Sequence, residues 1–317
     1  MRKAARTVAL WGKERGEARL RVRLVPVPTG ADPVAKSQLR PGLTLIATPI
    51  GNAGDITLRA LDALRDADAI AAEDTRVARR LMDIHGVPLE GRPLVPYHDH
   101  NAASALPRLL GLLREGERVV FLSDAGTPMV ADPGYRLARA VLAEGLPLGA
   151  TPGPCAAIMA LTLSGLPSDR FTFAGFAPSK REARRGFLRE FAAFPATLIL
   201  YESPKRLAAS LADMAEVFGP REAAVARELT KMFEEVRRAP LDALAAQYAE
   251  EGAPKGEVVV CIAPPAPPEP AAEADIDAAL AEALATMTVK DAAKAVSAEL
   301  GVPRKTVYDR ALALKDG

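Results

Sequence analysis

Residues 43–55, Leu-Thr-Leu-Ile-Ala-Thr-Pro-Ile-Gly-Asn-Ala-Gly-Asp, join a short apolar run to a loop rich in proline and glycine. The run predicts a strand over Leu43 to Ala47. Asp55 is a plausible N-cap for a helix carrying Leu58, Leu61 and Leu64 on one side. A strand-to-helix turn of this kind converges backbone N–H groups on a ligand. The loop is neither a G-x-G-x-x-G fingerprint nor a P-loop, because the required glycine spacing and the Gly-Lys-Ser/Thr triplet are missing. Taken alone it is a generic turn.

The same grammar recurs twice. Ser123 to Gly134 (SDAGTPMVADPG) follows an apolar strand at Val119 to Leu122. Asp132-Pro133 supplies an N-cap and an N1 proline for a helix from Gly134 to Glu144, which Gly145 ends. Asp124 falls at the carboxyl end of the strand, where α/β sheets present ligand-binding groups. Gly126 permits close approach of a ligand, and the prolines stiffen the loop. Ala150 to Ala157 (ATPGPCAA) forms a third loop. Three such loops at successive strand ends predict a single cleft.

Strands and helices alternate on either side. A strand is expected at Ala67 to Ala72 and a helix over Thr75 to His85, closed by Gly86. Further strands are expected at Phe171 to Phe176, Thr197 to Tyr201, Ala223 to Ala226 and Val258 to Ile262. Helices are expected over 180–193 and 204–218, the second opened by Ser203-Pro204. The alternation indicates α/β architecture. It divides into an N-terminal α/β domain over 41–152, a C-terminal α/β domain over 153–264 and a Pro/Ala linker over 265–274. In a helical appendage over 275–317, Thr288 and Asp291 open one helix, Gly301 stops it and Pro303 starts another. That pattern suits a helix-turn-helix and equally a packing or dimerisation unit. Residues 1–40, punctuated by Pro26, Pro28, Gly30 and Pro33 and followed by Pro41, are expected to be a flexible tail. Met1 to Arg23 is rich in arginine and lacks the continuous apolar segment of a secretory signal.

Composition narrows the class. The 317 residues are 49% hydrophobic, enough for a sizeable core, and 41 Lys+Arg against 40 Asp+Glu leave a net charge of +1. A neutral total leaves a nucleic-acid partner open, since binding depends on where charge sits. Two distant cysteines, Cys155 and Cys261, make neither a disulfide framework nor a zinc site and suggest a reducing cytoplasm. The apolar runs are strand-sized, so no membrane span is expected.

The full strings are more specific than their composition. The stretch 45–76, with SDAGTPMVADPG (123–134), TPGPCAAIMAL (151–161), LYESPKRL (200–207) and ARELTKMFEE (226–235), resembles in the same order the bacterial 16S ribosomal RNA 2′-O-cytidine methyltransferases. The resemblance covers roughly residues 43–264, and the C-terminal helices resemble the appendage many members carry. It implies the class III (tetrapyrrole-methylase) fold, two α/β domains with S-adenosylmethionine between them, and a homodimer acting in the cytoplasm on 16S rRNA in the small ribosomal subunit, at a decoding-centre cytidine.

Carried onto this chain, the resemblance assigns the cofactor to Pro49, Gly51, Asp124, Gly126, Thr127, Met129, Val130, Cys155 and Ala156, with Tyr201 and the backbone near Ala226 at the adenine. Glu73, Asp74 and Arg76 form the candidate catalytic group: adjacent carboxylates to take the hydroxyl proton and an arginine to hold phosphate. From the residues alone, the same string is also an N-capped helix start with ordinary ion pairs. Tyr97-His98-Asp99-His100-Asn101 lacks a third ligand for a metal, so none is expected, and a substrate-side role falls to His100 and Asn101. The family often has Glu after that Asn; here Ala102 follows, which removes an acid from that position. Arg79, Lys180, Arg181, Lys205 and Arg206 are candidate RNA contacts, although basic runs are also ordinary solvated helix faces. Precorrin-type relatives carry a G-x-G-P-G-D first loop, unlike Thr48-Pro49-Ile50-Gly51-Asn52, and diphthine-synthase relatives lack the EDTR and YESP strings. A nucleic-acid-binding module built on the C-terminal helices is the alternative from a different class.

Overall fold

A computed structural model describes residues 5–14, 17–26, 39–98, 100–130, 134–266 and 273–316. The chain divides into two compact units, Met1–Pro264 and Pro265–Gly317.

Within the segment expected to be a tail, β1 (Ala5–Glu14) and β2 (Glu17–Pro26) pair antiparallel, from Ala5 opposite Pro26 to Glu14 opposite Glu17. The alternation Arg19-Leu20-Arg21-Val22-Arg23-Leu24 has the two-residue period of a strand, a signal the high arginine content obscures.

The first large sheet contains β3 (Gly42–Ile46), β4 (Ala69–Ala72), β5 (Leu94–Pro96), β6 (Arg118–Leu122) and β7 (Leu148–Thr151), in the order β5-β4-β6-β3-β7. Every pairing is parallel. Parallel neighbours need crossovers, supplied here by α1 (Leu58–Asp66), α2 (Thr75–Ile84), α3 (Ala102–Arg114) and α4 (Gly134–Ala143). Successive strand residues serve opposite cores: Leu43, Leu45, Val119 and Phe121 pack with α3 and α4, whereas Ile46, Ile70, Val120 and Leu122 pack with α1 and α2. Both faces are covered, so the strands read as continuous apolar runs. The expected Asp55 cap is corrected. Asp55 closes a short 3₁₀ turn over Ala53–Asp55, and Thr57 caps α1 by accepting from the Ala60 N–H at 3.2 Å. Asn52 accepts the Gly54 N–H at 3.0 Å, which uses the loop's extra length before the helix can begin. The proposed Asp132-Pro133 cap of α4 lies outside the described residues, as does Asp99.

The second sheet follows α5 (Ala156–Ser164). It comprises β8 (Phe171–Phe176), β9 (Thr197–Glu202), β10 (Glu222–Arg227), β11 (Glu235–Pro240) and β12 (Val258–Ile262), in the order β11-β10-β12-β9-β8. Only β8 and β9 are parallel; β12 runs antiparallel to both β9 and β10, and β11 antiparallel to β10. One face packs on α6 (Arg181–Arg189), α7 (Leu207–Phe218) and α8 (Leu241–Glu251) through Leu188, Leu211, Met214 and Tyr248. The other, with Ile199, Ala224, Ala226, Val259 and Cys261, packs on α5 and on Ile50 from the first loop. That cluster is the apolar bond between the two halves.

The second unit holds α9 (Glu273–Leu284), α10 (Val289–Leu300) and α11 (Arg304–Asp316) around Leu280, Ala293, Val296, Val307 and Ala311. Thr288 accepts the Asp291 N–H at 3.3 Å, and Gly301 ends α10 in the left-handed region. No helix among the described residues is long and apolar enough to cross a membrane.

Candidate active site

Because all strands of the first sheet run one way, the loops after β3, β4, β6 and β7 emerge at one edge. Hydrogen bonds then fasten them together. Thr48 and Gly126 exchange N–H···O bonds of 2.9 and 3.0 Å, and Thr48 Oγ1 donates to the Ser123 carbonyl at 3.1 Å. Thr127 Oγ1 donates to the Pro154 carbonyl at 2.8 Å, tying the second loop to the third. The three loops singled out in the sequence therefore meet as one structure.

They bound a cavity of about 420 Å³, within the roughly 300–1,000 Å³ range of small-molecule sites. Its first-half wall comprises Ile50, Glu73, Asp124 to Thr127 and Val130. The second half adds Cys155 and Ala156 at the start of α5, Phe176 and Tyr201 to Pro204 at strand ends, and Leu229 with Glu257 to Val259.

Polar groups line both sides of the cavity. Asp124 Oδ1 accepts the Asp74 N–H at 2.8 Å, and Glu73 Oε2 accepts the Asp124 N–H at 3.4 Å, so the ends of β4 and β6 are cross-linked by two carboxylates that both face the cavity. Asp74 is spent differently. It caps α2 through the Arg76 N–H at 2.8 Å and pairs with the Arg76 guanidinium at 2.5 Å. The hydrogen bond from the Arg76 side chain pulls the Asp74 carboxyl from 3.8 down to about 2. Of the expected catalytic group only Glu73 lines the cavity. Asp74 and Arg76 form the capped, ion-paired helix start beside it.

Of the expected cofactor residues, Asp124, Gly126, Thr127, Val130, Cys155, Ala156 and Tyr201 line the cavity. Pro49, Gly51, Met129 and Ala226 do not. Ile50 takes the place of Pro49 on the wall. Gly51 instead lets the first loop touch the turn after β10: a Cβ there would lie 2.5 Å from Lys231 Cγ, and Asn52 N donates to Thr230 Oγ1 at 3.1 Å. Met129 is exposed with φ +73. Ala226 is buried in β10 opposite Val259, and it is Val259 that reaches the wall.

On the second-half side, burial above all pushes the Tyr201 phenol up to about 12, so it stays a neutral hydrogen-bonding group at physiological pH. Glu202 is buried and accepts from the Ser203 N–H at 2.6 Å, Arg206 Nε at 2.8 Å and Ser210 Oγ at 2.5 Å. Glu257 is held by Lys231 Nζ at 2.9 Å.

The expected RNA contacts separate into two kinds. Arg206 is committed to Glu202, and Arg181 to Asp213 and Glu216 of α7, at 3.1 and 3.3 Å. Asn101 closes its own loop, accepting the His98 N–H at 2.8 Å and donating to the Pro96 carbonyl at 2.9 Å. Arg79, His100, Lys180 and Lys205 are exposed. Among the described residues no group of three or more His, Cys, Asp or Glu side chains is placed to hold a metal ion.

The sequence reading missed Phe176, Leu229, Val258 and Val259 as wall residues. The strands of Phe176, Val258 and Val259 are visible as apolar runs, and Leu229 sits in the turn after β10, but which strand neighbours which in a mixed sheet is not encoded locally.

The Tetrapyrrole (Corrin/Porphyrin) Methylases family model matches residues 42–245, and the RsmI C-terminal HTH domain model matches residues 270–315. The ribosomal RNA small subunit methyltransferase I of Mesorhizobium japonicum is 48% identical over 288 residues, which are 90% of this chain and 97% of that protein. The protein of the same name from Escherichia coli O157:H7 is 44% identical over 273 residues, 85% of this chain and 94% of its own length. Among solved structures, a cobalt precorrin-4 methyltransferase aligns with a TM-score of 0.53 at 19% identity, covering 70% of this chain and 94% of its own, a likeness of fold alone. The uroporphyrin-III C-methyltransferase of Thermus thermophilus aligns with a TM-score of 0.50 at 25% identity, with the same coverage of 70% and 94%. Parallel first sheet, mixed second sheet, shared cavity and C-terminal helices together place the chain in the tetrapyrrole methylase fold, and it belongs to the ribosomal RNA small subunit methyltransferase I family.

Proposed function

We propose that the chain transfers a methyl group from S-adenosylmethionine to the 2′-hydroxyl of a cytidine in the decoding centre of 16S ribosomal RNA, acting in the cytoplasm. The observation that carries this reading is the cavity where the three Gly/Pro loops meet, with Glu73 and Asp124 on one wall and Leu229, Val258 and Val259 on another. The names of the relatives support ribosomal RNA as the substrate.

The residues present fit such a cofactor. Carboxylates suit its ammonium, sulfonium and ribose hydroxyl groups, and an apolar strand face suits a flat purine. At Gly126, φ is +81 and a Cβ would come within 3.2 Å of Ile50 Cγ2, so the bare backbone preserves the room between the loops. When bound, the cofactor supplies an electrophilic methyl group. Asp124, Gly126 and Thr127 would hold its polar portion, and Tyr201, Leu229 and Val259 its ring. Most of the catalytic task is alignment of the acceptor oxygen. Glu73, anchored through Asp124, is the carboxylate placed to take the hydroxyl proton.

Calorimetric titration with S-adenosylmethionine, followed by methyl transfer to purified small subunits, tests the reading. A protein that binds RNA and not the cofactor contradicts it. So does a catalyst that methylates free tetrapyrroles and leaves ribosomal RNA untouched.

A further inference from the structure

The pairing of β8 with β9 breaks register beside the cavity. Phe171, Thr172 and Phe173 pair with Thr197, Leu198 and Ile199, and pairing resumes with Phe176 opposite Tyr201. Ala174 and Gly175 thus stand against the single residue Leu200. Gly175 has φ +67, the left-handed conformation that lets a bulge form at a glycine. In an unbroken strand, residues 173 and 176 would face opposite sides of the sheet. The extra residue brings both to one side. The Phe173 ring lies 4.8 Å from that of Tyr201, and the Phe176 ring 5.5 Å from it. Phe173 joins the core under the sheet, whereas Phe176 lines the cavity and stays 56% exposed.

We propose that Phe176 is the stacking platform for the base of the ribonucleotide that receives the methyl group. The proposal rests on the reading of the site as an RNA methyltransferase. A ribose hydroxyl can enter the cavity only if its own base is parked beside it, and bases drawn out of a strand are held on aromatic faces. The surroundings favour a nucleotide of RNA over the cofactor's adenine. Arg206 Nη2 donates to the Ala177 carbonyl at 3.5 Å, joining the loop after β8 to the loop after β9. Those two loops carry the exposed cations Lys180 and Lys205, suited to the phosphates on either side of a stacked base. The apolar wall of Val258 and Val259 on β12, with Leu229 in the turn after β10, already offers a purine surface away from β8.

The test uses Phe176→Ala, Phe176→Leu and Phe176→Tyr in the full chain. It compares the Kd for S-adenosylmethionine by calorimetry with kcat/KM on small subunits, and thermal melting controls for folding. Phe176→Ala is expected to lower kcat/KM roughly 5- to 150-fold, the range of one base–aromatic stack, with cofactor Kd within about twofold of wild type. Phe176→Leu keeps apolar bulk and melts like wild type, yet falls as far in kcat/KM. Phe176→Tyr restores activity. Equal losses of cofactor affinity and kcat/KM would assign the ring to the adenine and overturn the proposal, as would full activity in Phe176→Ala or rescue by Phe176→Leu. A wild-type protein that binds the cofactor but never methylates subunits would refute the proposed function itself, and the platform with it.

Discussion

The two sheets contribute to one cavity in different ways. In the first, every strand is parallel, so the carboxyl ends of β3, β4, β6 and β7 emerge together and their loops deliver polar groups and bare backbone. In the second, strand directions alternate except between β8 and β9, and the contribution is mostly wall: Tyr201, Val258 and Val259 from the strands, and Phe176 from a bulge. Glu202 and Glu257 also line that side but are held by Arg206, Ser210 and Lys231, so the second half adds ion-paired acids to its apolar and aromatic shape, whereas Asp124 and Glu73 cross-link the loops of the first. Substitutions in the first sheet's loops should therefore affect cofactor affinity, and those on the second sheet's rim should affect what lies against it.

The largest effect is expected at Asp124. Removing its carboxylate deletes a cavity acid and the acceptor of the Asp74 N–H at 2.8 Å. Asp124→Ala should weaken cofactor binding by about 10- to 100-fold, the scale of a hydrogen bond to a charged group, and RNA binding much less. Calorimetry and filter binding separate the two, and equal losses would point to a folding defect that blurs the contrast between the sheets.

Next comes the seam between the halves. A methyl group at Gly51 would lie 2.5 Å from Lys231 Cγ and 2.9 Å from Thr230 Oγ1. Gly51→Ala should cost about 1–3 kcal/mol of stability by overpacking, read from urea denaturation, and loosen the cofactor by shifting the first loop. A variant as stable as wild type would show that the turn after β10 yields freely.

The smallest effect is expected at the opposite end of the first sheet. Asp68 accepts the backbone N–H of Arg118 at 2.8 Å and its guanidinium at 2.8 and 2.5 Å. Hydrogen bonding from the Arg118 side chain lowers its carboxyl from 3.8 to about 2. A carboxyl depressed in the folded state stabilises it fully above the unfolded value and loses that contribution as pH falls through the folded one. The stability gap between wild type and Asp68→Asn should hold steady from neutral pH downward and close between 3.8 and about 2, with cofactor affinity unchanged at neutral pH. A gap that persists at the acid end would mean that Asp68 acts by packing.

How much of this was legible follows the same division. The parallel half announces itself: each strand is a short apolar run, each loop starts at a strand's carboxyl end, and Asp124, Gly126 and Cys155, which line the cavity, all fall in those loops. Local chemistry suffices there because topology puts consecutive loops on one edge. The mixed half resists. Val259 reaches the cavity because β12 inserts between β9 and β10, an adjacency that no local pattern carries. Phe176 reaches it through a bulge that shifts the strand's phase by one residue, whereas strict alternation assigns Phe173 and Phe176 to opposite faces. Asp74 and Arg76 illustrate another limit: an acid-then-arginine string reads alike as a catalytic pair and as a capped helix start, and it is the distances that show the cap and ion pair. The hairpin of β1 and β2 falls in a stretch read as a tail from Pro26, Pro28, Gly30 and Pro33, punctuation that begins only where β2 ends.

The central claim is tested most directly by mapping ribose 2′-O-methylation across 16S ribosomal RNA from cells with and without this protein. The account predicts that one cytidine in the decoding centre loses its methyl group when the protein is absent, and regains it on complementation with wild type but not with Asp124→Ala. An unchanged map, or a loss confined to base methylation, would contradict it.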